Sequence, residues 1–177
     1  MNRSIDMFPN DYKGYLSKEV TTNGLSNAFF NGLACWYLIK DKGDMPFWGA
    51  HSFGVDILAT AFILPWIVTL ILVPLQKVKM RKGKAAPWMP NSVAPHYMYD
   101  FVSRFPNKLW LNAILFGLIG MLVFAPTLLA LLFAAQIDLF TAAEYAVFKG
   151  VWAGILAALL TTPMILLGLR QPVQADN

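Results

Sequence analysis

From Phe53 to Leu75 the chain runs 23 residues with one ionisable side chain, Asp56. A helix needs about 20 mostly apolar residues to cross the hydrocarbon of a bilayer, because every backbone polar group there must be paired within the helix. Three further stretches read the same way: Val20 to Ile39, Leu109 to Ala135 and Tyr145 to Leu169. The third contains Pro126, which predicts a kink there. The sequence therefore predicts an all-α, polytopic membrane protein with four transmembrane helices. Composition agrees: 57% of the 177 residues are hydrophobic and only 14% are charged, against about 25% charged in ordinary soluble domains. That balance excludes a disordered chain and a soluble domain of this length. The single cysteine, Cys35, excludes an internal disulfide framework.

Lys and Arg in the loops set the expected orientation. With the N terminus in the cytoplasm, eleven cations fall inside (Arg3, Lys13, Lys18, Lys77, Lys79, Arg81, Lys82, Lys84, Arg104, Lys108 and Arg170) and three outside (Lys40, Lys42 and Lys149). Both termini are thus expected to be cytoplasmic. The start carries charges and no apolar core, so no cleaved signal is expected. The chain divides into a cytoplasmic segment 1–19, a first hairpin 20–75, a basic and proline-rich cytoplasmic connector 76–108, a second hairpin 109–169 and a cytoplasmic tail 170–177. Within the connector, Tyr97, Phe101 and Phe105 recur every four residues and predict a short interfacial helix.

The two hairpins look alike. Asn27-Ala-Phe-Phe-Asn-Gly-Leu33 shares Asn, Ala, Gly and Leu with Asn112-Ala-Ile-Leu-Phe-Gly-Leu118 at identical spacing. Ile57-Leu-Ala-Thr-Ala-Phe-Ile-Leu-Pro65 matches Ile155-Leu-Ala-Ala-Leu-Leu-Thr-Thr-Pro163, and a second proline follows nine residues later in each, Pro74 and Pro172. This predicts a parallel repeat of two hairpins about a pseudo-two-fold along the membrane normal. The run Ala61-Phe-Ile-Leu-Pro65, then Pro74 and Lys77-Val-Lys79, resembles a family of bacterial inner-membrane proteins built from two-helix hairpins with a Pro-x8-Pro second helix. The resemblance implies the architecture and a bacterial inner-membrane location. That family has no assigned activity, and the second hairpin departs from it, since no basic cluster follows Pro172.

Polar residues within a span are costly and therefore informative. Asn23, Asn27 and Asn31 continue a row that begins at Glu19, each four residues apart and so on one helical face. Beside them Gly24, Ala28 and Gly32 form a small-residue ridge suited to close helix packing. The pattern is expected to pack inside the bundle; the alternative is a polar pathway or ligand pocket lined by Asn23, Asn27 and Asn31. The repeat places Asn27 and Asn112 in related positions near the central axis. Asp56 and Lys149 begin the second and fourth spans and are expected to pair at the outer end. His96, Asp100 and Arg104, at spacing four in the connector, are candidate lipid-headgroup contacts. His51 and His96 fall on opposite sides, and no metal site, phosphate loop or nucleophile elbow is expected. No cofactor and no nucleic-acid partner is expected. The partners read from the sequence are the bilayer and a second membrane protein or another copy of this chain.

The functional expectation is a non-enzymatic structural or accessory membrane protein. The alternatives are a small oligomeric permease or channel using the Asn face, and a lipid-headgroup binder or enzyme at the cytoplasmic interface.

Overall fold

A computed structural model describes residues 12–87 and 96–170. Helix α1 (Tyr12–Ile39) is followed by a two-residue strand β1 (Met45–Pro46), α2 (Phe53–Arg81) and the short α3 (His96–Ser103). A long helix then comes in three pieces: α4 (Leu109–Ile119), a π-helical turn (Gly120–Phe124) and α5 (Ala125–Ala134). Strand β2 (Leu139–Phe140) and α6 (Ala142–Leu169) follow.

Among the described residues three helices are long and apolar enough to cross a membrane: Phe53–Arg81, Leu109–Ala134 and Ala142–Leu169. Helix α1 has 28 residues, but Lys13, Lys18, Glu19 and the Asn row interrupt its apolar character, and it stands outside that set.

Helices α2 and α6 have sequence-encoded starts. Ser52 caps α2 by accepting from Val55 N. Thr141 and Glu144 form a reciprocal capping box on α6, satisfying amides that otherwise lack partners. Glu144 accepts from the Thr141 backbone and side chain.

Helix α6 is the centre of the bundle. It packs along α1 on one side and α2 on the other, and α2 in turn carries α4. The first helix of each hairpin thus lies on the second helix of the other. The register is not that of a perfect two-fold. A β-carbon on Gly168 of α6 would stand 2.7 Å from Gln76 Cβ and 3.0 Å from Val73 O on α2, 92 and 95 residues away, whereas the sequence repeat aligns Ile57 with Ile155, a separation of 98. At 1.5 Å per residue, α6 is displaced by about 7 Å from the symmetric register. Asn27 and Asn112 accordingly do not share an environment near a central axis. Asn27 is half-buried beside α2, and Asn112 is buried in the first turn of α4. Pro172 lies outside the described residues.

The prolines act differently from a simple kink. Pro65, Pro74 and Pro163 all lie inside continuous helices. Near Pro126 the irregularity falls one turn earlier, as a π turn in which the Ala125 amide donates to Gly120 O. Pro126 itself then occupies the first turn of α5, where its missing N–H costs least. The π turn also faces a special neighbour. Pro65 has no amide to donate to Ala61 O, four residues back, and Gly120 packs directly against that oxygen.

At the end where α1 leads into α2, β1 pairs antiparallel with β2, Met45 opposite Phe140 and Pro46 opposite Leu139. Two residues on each side are too few for a strand pattern to show in the sequence. The ladder sits on an aromatic cluster of Phe47, Phe53, Phe140, Tyr145 and Phe148. This is the hairpin end; the opposite end, with most of the Lys and Arg, is the basic end.

The expected connector helix is α3, with a changed inner face. Val102 is buried, and Phe105 stacks on Phe116 at 5.0 Å, while Phe101 is exposed. Arg170 sets this orientation by donating to Val102 O and Phe105 O, both at 3.1 Å.

Candidate functional site

The small residues of α1 meet matching residues on α6. A β-carbon added to Gly24 would stand 3.2 Å from Ala158 Cβ, and one on Gly32 would stand 3.3 Å from Ala146 O and Gly150 Cα. One on Gly154 would stand 2.7 Å from Ala28 Cβ and 2.9 Å from Gly24 O. Close backbone approach of this kind is what glycine permits in helix association. The α6 half of the seam carries its own signal, Gly150-Val-Trp-Ala-Gly154, a G-x-x-x-G spacing that the sequence reading passed over.

Because that seam uses the glycine face, the Asn row beside it is turned off the α1–α6 contact. Asn23, Asn27 and Asn31 line a groove of about 570 Å³ between α1 and α2. The far wall is aliphatic: Ile63, Ile67, Ile71 and Leu75 from α2. Asp56 and Lys149 lie at the hairpin end of the same groove. The packed Asn face expected inside the bundle is therefore replaced by an open polar flank. Asn23 Nδ2 donates to Thr161 Oγ1, which itself donates to Ala157 O at 2.6 Å. Asn27 Nδ2 donates to Asn23 O at 2.8 Å and to Asn23 Oδ1 at 3.0 Å, and Asn31 Nδ2 to Asn27 O at 2.9 Å. Each of the three amide nitrogens thus has at least one partner within the protein. No described group donates to Asn27 Oδ1 or Asn31 Oδ1, which leaves two acceptors on the groove wall.

Charged clusters close both ends. At the hairpin end Lys149 Nζ lies 2.8 Å from Asp56 Oδ1 and 2.7 Å from Oδ2. Tyr145 donates to Asp56 Oδ2 at 2.5 Å. At the basic end Lys79 Nζ lies 2.6 and 2.7 Å from the two oxygens of Glu19. Gln76 Nε2 donates to Glu19 Oε2 at 3.0 Å, and Tyr15 donates to Gln76 Oε1. Burial, and then the Glu19 charge, push the Tyr15 phenol up to about 12. The sequence reading placed Glu19 on the polar row, took Lys79 as one loop cation among several, and missed Tyr15 and Gln76. Nothing local pairs residues 60 apart.

Of the headgroup candidates, both Asp100 and Arg104 are exposed, Asp100 on α3 and Arg104 beyond its last turn. The His96 side chain is outside the described residues. Among the described residues no group of His, Cys, Asp and Glu is arranged to hold a metal. Cys35 is a free thiol, buried.

No protein-family model matches the chain, and no curated protein or solved structure matches it. The likeness to bacterial Pro-x8-Pro hairpin proteins therefore rests on the residues quoted for it.

Proposed function

We propose that this chain is a four-span accessory protein of the bacterial inner membrane, with both termini cytoplasmic and no catalytic role, that holds a transmembrane helix of another membrane protein in its α1–α2 groove. The observation that carries this reading is the groove itself: unsatisfied amide oxygens at helical spacing on one wall, a row of branched aliphatics on the other. Acyl chains cannot donate to Asn27 and Asn31. A helix bearing Ser, Thr or Asn side chains every fourth residue can, and interhelical bonds of this type are worth about 0.6–2 kcal/mol each in membranes. The packing of α1 supports a fourth span: its glycine ridge lies along α6, itself apolar enough to cross, and its polar row faces the groove. The cation asymmetry supports the orientation.

The test places a photoreactive side chain at Ile67, in the groove, and at Phe133, exposed on α5. Crosslinking to a second membrane protein from Ile67 but not from Phe133, abolished by Asn27→Leu with Asn31→Leu, is the expected result. Crosslinking only to lipid overturns it.

A second reading draws on the continuity of polar groups from Asp56–Lys149 along the Asn row. In that reading another copy closes the groove, and the assembly is a small permease or channel. Crosslinking from Ile67 to a second copy, with solute flux lost in the Asn variants, distinguishes it.

A further inference from the structure

At the basic end, α2, α4 and α6 enclose a second hollow of about 400 Å³. Lys77 and Arg81 reach it from α2, four residues apart and so on one face, and Arg170 from the end of α6. No carboxylate lines it, and neither Lys77 nor Arg81 is ion-paired among the described residues. Arg170 is held in place by neutral groups, the carbonyls of Val102 and Phe105 and, at 2.5 Å, Asn107 Oδ1. Its charge is therefore anchored without being neutralised.

Two further features bear on the ligand, one favouring an anion and the other a hydrogen-bond donor. Helix α4 begins at Lys108 with no side-chain cap, so the positive end of its dipole opens beside the hollow. Asn112, in the hollow's wall, donates Nδ2 to Pro106 O at 2.9 Å, which leaves its Oδ1 buried and without a partner. A ligand that carries both an anionic phosphate and a hydroxyl supplies the missing charge and, after a small rotation of Asn112, the missing donor. The rest of the wall is apolar, with Val73, Leu109 and Leu167 among it. That suits a molecule whose other half belongs in hydrocarbon better than free phosphate. Basic hollows between transmembrane helices at this level suit anionic headgroups.

We propose that this hollow binds the phosphoglycerol headgroup of an anionic glycerophospholipid. It is separate from the α1–α2 groove and does not depend on the groove's occupant.

The test uses the full chain, purified in non-ionic detergent and stripped of lipid. Thermal unfolding and retention of ligand in native mass spectrometry are followed against short-chain phosphatidylglycerol, short-chain phosphatidylcholine, glycerol 3-phosphate and inorganic phosphate. Phosphatidylglycerol is expected to raise the midpoint and to bind at least tenfold more tightly than phosphatidylcholine, with little response to the two soluble phosphates. Lys77→Gln with Arg81→Gln, both at exposed positions, is expected to weaken binding about thirtyfold, the product of two surface cations. Lys82→Gln with Lys84→Gln, outside the hollow, is expected to leave it within about threefold. Equal response to phosphatidylcholine overturns the proposal, as does equal response to soluble phosphate, which would make the ligand a water-borne anion. Equal loss in the two double variants also overturns it, since the attraction would then be diffuse surface charge.

Discussion

Gly120 lies so close to the carbonyl oxygen of Ala61 that a β-carbon on it would stand 1.9 Å from that oxygen. The contact joins two features of the sequence that look unrelated. Pro65 removes the amide that would have bonded Ala61 O. The glycine of the neighbouring helix then brings its Cα–H to the freed acceptor, a weak but recurrent interaction at helix crossings.

Gly120→Ala is therefore expected to destabilise the bundle by about 1–3 kcal/mol, the range for overpacking against atoms that cannot yield. Leu122→Ala, two residues on and exposed, is expected to change stability by less than about 0.5 kcal/mol. Denaturant midpoints in mixed micelles measure both. A Gly120→Ala protein as stable as the parent would show that α4 and α2 do not cross there.

The Asp56–Lys149 pair is partly shielded, with side chains 33% and 16% exposed. Asp56→Asn leaves Lys149 without its partner and is expected to cost about 1–3 kcal/mol, below the cost of breaking a fully buried pair because water still screens it. Asp56→Asn combined with Lys149→Met is expected to recover most of the loss. A double variant as unstable as the sum of the two singles would show that the charges do not interact.

The Asn row divides by what each amide bonds. Asn23 reaches across to Thr161 on α6, so Asn23→Leu is expected to lower stability by about 0.6–1.7 kcal/mol. Asn27 and Asn31 bond within their own helix. Their change to Leu is expected to leave the unfolding midpoint nearly unmoved while removing what the groove binds. A large stability loss from Asn27→Leu would mean that its amide packs inside the bundle.

Tyr15 supplies a pH signature. Its phenol is neutral and bonded to Gln76 in the folded protein, and its pKa is raised from 10.0 to about 12. A raised folded pKa contributes stability that is fully present below pH 10 and is lost as pH climbs through about 12. Between those values the parent is expected to lose stability relative to Tyr15→Phe. Tyrosinate absorbance and the unfolding midpoint, followed together, measure this. Parallel pH profiles for the two proteins would remove Tyr15 from the cluster.

Much of the helical layout was legible because it depends on local pattern. The run 53–75 predicts α2, and Thr141 with Glu144 predicts the start of α6. The Gly24–Gly32 ridge was legible as a packing face, and its partner was available in Gly150 and Gly154. The position of the Asn row relative to that seam was not, because Gly24 and Asn23 are adjacent and a rotation of α1 by one residue exchanges them. Nor was the cluster of Tyr15, Glu19, Gln76 and Lys79. Each of those residues is ordinary at a span's end, and only the approach of α1 and α2 brings them together. The connector shows the same limit: spacing predicted α3, while Arg170, 68 residues beyond Val102, chose which side of it is buried.

Hydropathy and capping, which act over a few residues, were enough for this chain to declare long apolar helices and their starting points. Which face of α1 opens into a groove, how far α6 slides from the symmetric register, and which cations gather at Asn112 were decided by packing. The carbonyl freed at Ala61 and the carbonyl clamp on Arg170 join residues far apart in the chain, and those contacts leave no periodic trace in the sequence.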